Sequence, residues 1–349
     1  FGAGSLVGSF LGGYLTDRLG SFAVQAFSLI GGGICFIFLG HITSFTGLAI
    51  GIFLTTVVTD SIRPANSTAV AEYAKPKNLT KAYSLNRMAV NLGFSIGPAI
   101  GGFLAAYDYL WLFYADGVTC ILAGLVFIVY FSKIKKRQEQ PPESEKKASA
   151  NPAGDFSFLF FLALVAGYGI VFFQLFNTLP LYYREVYLLP ENHIGWLLAL
   201  NGFVVFLIEM PLVHKIGDRY PIKYIIAIGA LLAGVALVML NLTEGIIVLV
   251  FSMIVLSLSE ILAMPFMTTY TVNLAPKKSR GRFLGMYSVA YSVAFIAAPA
   301  LGTFLIDSLG YKYLWYIMCG IAVIVCIGIL RLLREKQDQS SEASESGMG

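Results

Sequence analysis

The dipeptide Asp17-Arg18 returns as Asp218-Arg219, and the offset of 201 residues holds across much of the chain. Pro64 matches Pro265, Pro98 matches Pro299, Gly101 matches Gly302, and Phe103-Leu104 matches Phe304-Leu305. Further on, Tyr107-Asp108-Tyr109-Leu110-Trp111 recurs as Tyr311-Lys312-Tyr313-Leu314-Trp315, with the offset now 204. A spacing kept over both halves marks an internal duplication. A period of about 200 residues is far longer than a solenoid repeat and suits two bundles within one membrane protein.

Between the copies lies the least hydrophobic stretch, Ser132 to Asp155, which carries charges of both signs with Pro and Ser and has no apolar run. Such a segment is solvated and cannot build a core. The rest is the opposite. The chain is 57% hydrophobic and 13% charged, with a mean hydropathy of +0.74. That is more apolar surface than a water-soluble chain of 349 residues could hide. The net charge of +4 is small and its basic residues are scattered, so nucleic-acid binding is not expected.

Apolar length predicts eleven spans: Phe1–Leu15, Phe22–Gly40, Phe45–Thr68, Ala82–Ala105, Leu110–Phe131, Phe156–Tyr183, Ile194–Val213, Ile222–Leu240, Gly245–Tyr270, Phe283–Ile306 and Tyr313–Leu333. Five precede the linker and six follow it. The chain opens mid-helix at Phe1, with no initiator Met and no charged leader, which is not the pattern of a signal peptide. Subtracting the repeat offset from Phe156 places the start of an expected first helix about 45 residues upstream. The expected architecture is therefore an all-α polytopic membrane protein of two pseudo-symmetric six-helix bundles, with eleven of twelve transmembrane helices present. Its parts are an N-terminal bundle over 1–131, a linker over 132–155, a C-terminal bundle over 156–333 and a disordered tail over 334–349.

Lys and Arg set the orientation. Connections that hold Arg18, Lys75 to Lys81, the linker, Lys215 to Lys223, Lys277 to Arg282 and the C-terminal tail carry twenty of the 24 basic residues. The opposite connections hold only Arg184 and Lys312, so the linker and the tail are expected to be cytoplasmic, in a plasma (inner) membrane. The four cysteines all lie within spans and suit packing rather than a disulfide framework. The three histidines are scattered without ligand spacing, so no metal and no cofactor is expected. There is no Gly-x-Ser-x-Gly, Walker A loop or His-x-x-Glu-His, and no enzyme activity is expected.

Three sets of residues point to function. In the turn after the first span stands Gly13-Tyr14-Leu15-Thr16-Asp17-Arg18-Leu19-Gly20. Gly13 permits a close helix approach, Gly20 can take the left-handed conformation that ends a helix, and Asp17 can accept hydrogen bonds from a neighbouring helix N-terminus. This resembles the Gly-x-Leu-x-Asp-Arg-x-Gly signature of the major facilitator superfamily, with a degenerate second copy at His214 to Tyr220 that contains Asp218 and Arg219. The resemblance implies a latch that closes the cytoplasmic side in the outward-open state. The resemblance implies a following base that pairs with an acid, here Glu72, and this chain has Ser21-Phe22-Ala23 where those bases usually stand.

A second set is Gly93-Phe94-Ser95-Ile96-Gly97-Pro98-Ala99-Ile100-Gly101-Gly102, where glycines four apart line one helix face and Pro98 kinks the helix. It is similar to a motif typical, in the same superfamily, of proton-coupled antiporters and drug exporters. Close packing of any helix pair would also use such residues.

A third set is ionisable and lies inside spans: Asp60, Arg63, Arg87, Asp116, Glu209 and Glu260. Each costs about 2.5–3.5 kcal/mol at mid-membrane on insertion scales and is expected to face the bundle interior. Asp60 and Arg63, three apart, are expected to pair, in either a structural or a coupling role. Glu260 has no basic residue near it in sequence and can exchange a proton once desolvated, so it is the first candidate proton carrier, ahead of Asp60, Arg63 and Glu209. Gln174, Asn177, Asn91, Asn201, Tyr168 and Tyr291 are candidates to line a central substrate cavity, which the resemblance implies near the midplane between the halves.

The resemblance, which covers the whole chain, implies a secondary active transporter that works by alternating access. Proton-coupled export of amphipathic small molecules such as drugs is the expected role. A proton symporter that imports a sugar, peptide or organic acid is the alternative, and a sensor or scaffold without transport is a third. The expected partners are a small-molecule substrate, protons and the lipid bilayer, and the expected state is a monomer.

Overall fold

A computed structural model describes residues 1–105, 108–138, 151–217, 219–242 and 245–346. Every regular element among them is helical. The first helix, α1 (Gly2–Leu19), buries Gly4, Ser5, Gly8, Ser9, Gly12, Gly13 and Thr16. These small residues fall into two rows of i, i+4 spacing, so two neighbours can approach the α1 backbone at once. Along Gly4, Gly8 and Gly12 run α3 (Phe45–Asp60) and α4 (Ile62–Tyr73): a Cβ on Gly8 would lie 2.6 Å from the Val57 carbonyl, and one on Gly12 2.6 Å from Ser61. Along Ser5, Ser9 and Gly13 runs the start of α12 (Arg280–Leu309). At Gly20, φ +86° with ψ 155° turns the chain into α2 (Ser21–Leu39), so the φ is positive as expected but the ψ is extended. Only glycine takes that combination readily.

By their contacts the described residues form two compact units, and neither is a continuous half of the sequence. The first comprises Phe1–Leu79, Ser95–Gly154 and Thr271–Ser292; the second comprises Thr80–Phe94, Asp155–Tyr270 and Val293–Gly349. This differs from the division expected at the linker, because α5 (Leu79–Ala105) and α12 each change unit part-way along. In the first unit α2 packs on α6 (Leu110–Gln138) with Gly33 against Gly117, and Phe22 stacks on Phe127 at 5.3 Å. The core of the second unit is α7 (Phe156–Phe172), α10 (Ile222–Met239) and α13 (Tyr311–Ser346), with Gly234 against Cys319 and Gly328 against Leu164. Around it lie α8 (Thr178–Glu185), α9 (Glu191–Ile216) and α11 (Ile246–Leu274).

Two expected spans are broken, each near a proline. Pro64 has no N–H for the Asp60 carbonyl, and α3 gives way to α4 at Ser61. The Val58 carbonyl there accepts from both Ser61 and Ser28 hydroxyls, at 2.7 and 2.8 Å. Pro180 sits in the first turn of α8, where a missing N–H costs little, and a 3₁₀ turn over Phe173–Leu175 separates α7 from α8. In the other direction, α13 continues to Ser346 through the expected tail and α6 to Gln138 into the expected linker. Leu332 to Gln337 are strong helix formers, and no Gly or Pro follows before Gly347, so nothing in this stretch stops the helix. Residues 139–150 of the linker and 347–349 of the tail lie outside the described residues.

Among the described residues, nine helical segments are long and apolar enough to cross a membrane, so this is a multi-pass membrane protein. Helices α1 and α5, both expected as spans, are not among the nine. The first is rich in Gly and carries Asp17-Arg18 near its end, and the second carries Lys81, Arg87, the two asparagines Asn86 and Asn91, and Thr80 and Ser84. Polar and small residues lower hydropathy where a helix packs on protein rather than lipid.

Candidate functional site

Asp17 ends α1 against the start of α12. Its Oδ1 accepts from the Gly281 N–H at 2.7 Å, and its Oδ2 accepts from the Arg282 N–H at 3.1 Å and from Arg282 Nε at 2.9 Å. These amides are among the first of α12, where backbone donors lack intrahelical partners and the helix dipole favours an anion. Gly13 makes the approach possible, since a Cβ there would lie 2.5 Å from the Gly281 carbonyl. Ser5 and Ser292 hydroxyls meet at 2.9 Å further along the same seam. Arg18 takes no part and lies over the Tyr14 ring at 4.5 Å. Glu72 accepts a hydrogen bond from Ser21 at 2.6 Å, so a neutral hydroxyl occupies the place where a base was looked for. Arg219 is exposed, and Asp218 lies outside the described residues.

A second cluster forms in the other unit, where α5, α9 and α11 each supply a charge. Arg87 Nη2 lies 2.7 Å from Glu260 Oε1, and its Nε lies 3.1 Å from Glu209 Oε1. Its remaining nitrogen, Nη1, contacts Met264 Sδ. Glu260 Oε2 accepts from Asn201 Nδ2 at 3.1 Å, and the same amide reaches Ser257 Oγ at 3.0 Å. The Glu209 side chain is wholly buried and that of Glu260 is 7% exposed. One guanidinium thus serves two buried carboxylates. A buried charge without a partner costs several kcal/mol, so three such groups persist together only because they share one another.

Glu260 has no base near it in sequence, and the fold supplies one from far along the chain. Its partner comes from 173 residues away, and Arg87, not counted among the site candidates, is the hub. One signal could have found it. With Arg63 next to Asp60, Arg87 is the remaining base within a span, and Glu209 and Glu260 are acids in need of one. Asp60 does pair with Arg63, at 3.2 Å, but the arginine side chain is half exposed.

The expected cavity residues are placed differently from one another. Asn201 belongs to the charge cluster, and Asn91 lies four residues after Arg87 on α5. Gln174 is fully buried and spent on structure: its Nε2 donates to the Ala298 and Ile170 carbonyls, and its Oε1 accepts from Thr178. Tyr168 is buried too, 3.3 Å from Ser259 Oγ. Asn177 donates to the Phe173 carbonyl within its own helical turn. Tyr291 packs edge-to-face on Tyr287 in the first unit.

Gly93 and Gly97 do not meet the expected close neighbour. Among the described residues, a Cβ on either would find no atom within 4 Å, and one on Gly101 would reach Leu112 at 3.4 Å. The counterparts of Gly97 and Gly101 in the duplication are Ala298 and Gly302, which lie against Gln174 and Thr178. The surroundings of Pro98 and Gly102 lie outside the described residues. Among the described residues, no group of three or more His, Cys, Asp or Glu could hold a metal.

Duplicated helical spans, small-residue seams and a buried charge cluster define a polytopic transport protein. A sequence model of the Major Facilitator Superfamily matches residues 1–276 and again 189–348, and the chain belongs to that family. It is 26% identical over 297 residues to Multidrug resistance protein 2 of Bacillus subtilis (strain 168), covering 80% of this chain and 71% of that protein. It is 21% identical to a Na(+), Li(+), K(+)/H(+) antiporter of Planococcus maritimus, covering 89% and 84%. The fold matches the crystal structure of the human organic anion transporter MFSD10 (TETRAN), with a TM-score of 0.77 at 15% identity over 94% of this chain and 82% of that one. The family and these neighbours are transporters, not enzymes. The protein is thus a membrane transporter that handles small molecules.

Proposed function

We propose that the protein exports amphipathic small molecules in exchange for protons, by alternating access. The observation that carries this reading is the buried Arg87–Glu209–Glu260 cluster, in which two acids face one base. Such a cluster sits at a net charge of −1 unless it takes up one cation, and a proton is the cation a carboxyl binds most readily. Loading and unloading that proton changes how Arg87 is shared between α9 and α11, which gives the ion a means to bias the helices. Names among the relatives support the export direction, since they include multidrug resistance proteins and a cation/proton antiporter.

Within this reading Asp17, Gly13 and the start of α12 form a latch on the cytoplasmic side, reinforced by Ser21–Glu72. Asn201, bonded to Glu260, and Asn91, one turn after Arg87 on α5, are substrate-contact candidates in the second unit, and Tyr291 is one in the first. Gln174 and Tyr168 serve as packing, and Asp60–Arg63 holds the α3–α4 break. The linker and the C-terminus face the cytoplasm, the membrane is the plasma (inner) membrane, and the transporter acts as a monomer.

The test uses the full-length protein in liposomes loaded with a pH-sensitive dye, with ethidium as substrate and an imposed pH gradient. The expected result is ethidium movement that follows the gradient, with protons moving the opposite way. Ethidium flux indifferent to the gradient, or none, would overturn the proposal.

A further inference from the structure

Resting on the proton-coupled reading above, we infer that Glu209, and not Glu260, carries the exchanged proton, on its Oε2 atom. The two carboxyls are not equivalent. Both oxygens of Glu260 have donors, Arg87 Nη2 at 2.7 Å and Asn201 Nδ2 at 3.1 Å. A proton on Glu260 would have to displace one of them. Glu209 has only Arg87 Nε, at 3.1 Å on Oε1. Its Oε2 is buried in a wholly buried side chain and makes no hydrogen bond among the described residues.

An ionised carboxylate oxygen left there without a donor carries a heavy desolvation cost. The charged groups that face Glu209 are Arg87 from α5 and Glu260 from α11. Their sum is zero, so nothing opposite Glu209 offsets a second negative charge. Ser84, one turn before Arg87 on α5, is fully buried beside the same carboxyl; its Oγ makes no hydrogen bond of ordinary geometry among the described residues, and as a neutral donor its hydroxyl offsets only part of the cost of an ionised Oε2. A proton on Oε2 leaves the cluster with one positive and one negative charge and makes Oε2 a donor for which Ser84 Oγ is the nearby acceptor. On release the Oε2–H bond breaks and the proton passes to water. The Glu209 carboxylate then competes with Glu260 for Arg87, which provides the coupling step.

Infrared difference spectroscopy reads the proton directly. The full-length protein in lipid is compared between acid and alkaline buffer, in H₂O and in D₂O, as wild type, Glu209→Gln and Glu260→Gln. A protonated-carboxyl C=O band that shifts in D₂O is expected in wild type and in Glu260→Gln, and lost in Glu209→Gln. The other in-span acids, Asp60 and Asp116, remain in all three proteins and cancel in the comparison. A band lost in Glu260→Gln and kept in Glu209→Gln, or no difference between wild type and Glu209→Gln, would overturn the inference. Should Glu209→Gln not fold, Glu209→Asp decides: the band should move in frequency, and an unmoved band rejects the assignment. Gradient-driven ethidium flux without the Glu209 band defeats this inference alone. The band without coupled flux defeats the export reading alone.

Discussion

Arg87 reaches Glu260 at 2.7 Å across 173 residues of chain, and the same guanidinium reaches Glu209 at 3.1 Å. Breaking a buried charged contact by removing one partner is strongly destabilising, by about 3–5 kcal/mol, because the charge left behind has no compensation. Arg87→Ala leaves two such charges and should lower the thermal unfolding midpoint in detergent more than any single change to its partners. Adding Glu209→Gln and Glu260→Gln to that variant should restore much of the loss. Failure of the triple variant to recover would mean that Arg87 stabilises chiefly by packing.

The α1–α12 seam makes a separate prediction. Asp17 receives three hydrogen bonds from the first residues of α12, and a charged acceptor contributes about 1.5–3 kcal/mol to such contacts. Ser5 and Ser292, whose hydroxyls are 2.9 Å apart, report on the seam. The double variant Ser5→Cys with Ser292→Cys should form a disulfide under mild oxidation. Introducing Asp17→Asn should reduce the yield several-fold, and equal yields would show that Asp17 does not hold the two helices together.

Much of this was legible in the sequence, and the illegible part has a physical cause. Helical spans follow from apolar length, the duplication from constant offsets, and the role of Asp17 from an acid placed at a helix end. That Arg87 pairs with Glu260 could be guessed only by elimination, and that Gln174 reaches the Ala298 carbonyl not at all, because both contacts are set by packing between helices far apart in sequence. Pro64 and Pro180 sit beside broken helices, whereas Pro265 lies inside the unbroken α11. A proline removes one N–H everywhere, and surrounding hydroxyls and packing decide whether the helix tolerates it. The shared Tyr-x-Tyr-Leu-Trp motif is the plainest case of divergence: Trp315 is fully buried against Tyr182, while Trp111 is 58% exposed. Identical letters do not fix burial, because the neighbours each copy packs against decide it.

Ser21 and Glu72 allow the neutral form of the latch to be tested. The Ser21 hydroxyl donates to Glu72 at 2.6 Å in a part-buried setting. A hydrogen bond to a charged group contributes about 1.5–3 kcal/mol, so Ser21→Ala should lower stability by roughly that amount. Glu72→Gln keeps an acceptor and should cost less. If the two variants unfold at the same temperature as wild type, the contact between α2 and α4 is incidental.

Glycines of one sequence type should respond in opposite ways. A Cβ at Gly13 would stand 2.5 Å from the Gly281 carbonyl and 2.8 Å from Gly285 Cα, both backbone atoms with little room to move. Gly13→Ala should therefore separate α1 from α12 and cost about 1–3 kcal/mol, the usual range for overpacking. A Cβ at Gly97 meets nothing within 4 Å, and alanine gains about 0.5–1 kcal/mol over glycine inside a helix. Gly97→Ala in the 349-residue chain should thus be neutral or stabilising in thermal unfolding. A loss of stability from Gly97→Ala as large as that from Gly13→Ala would show that this glycine face meets a neighbour after all.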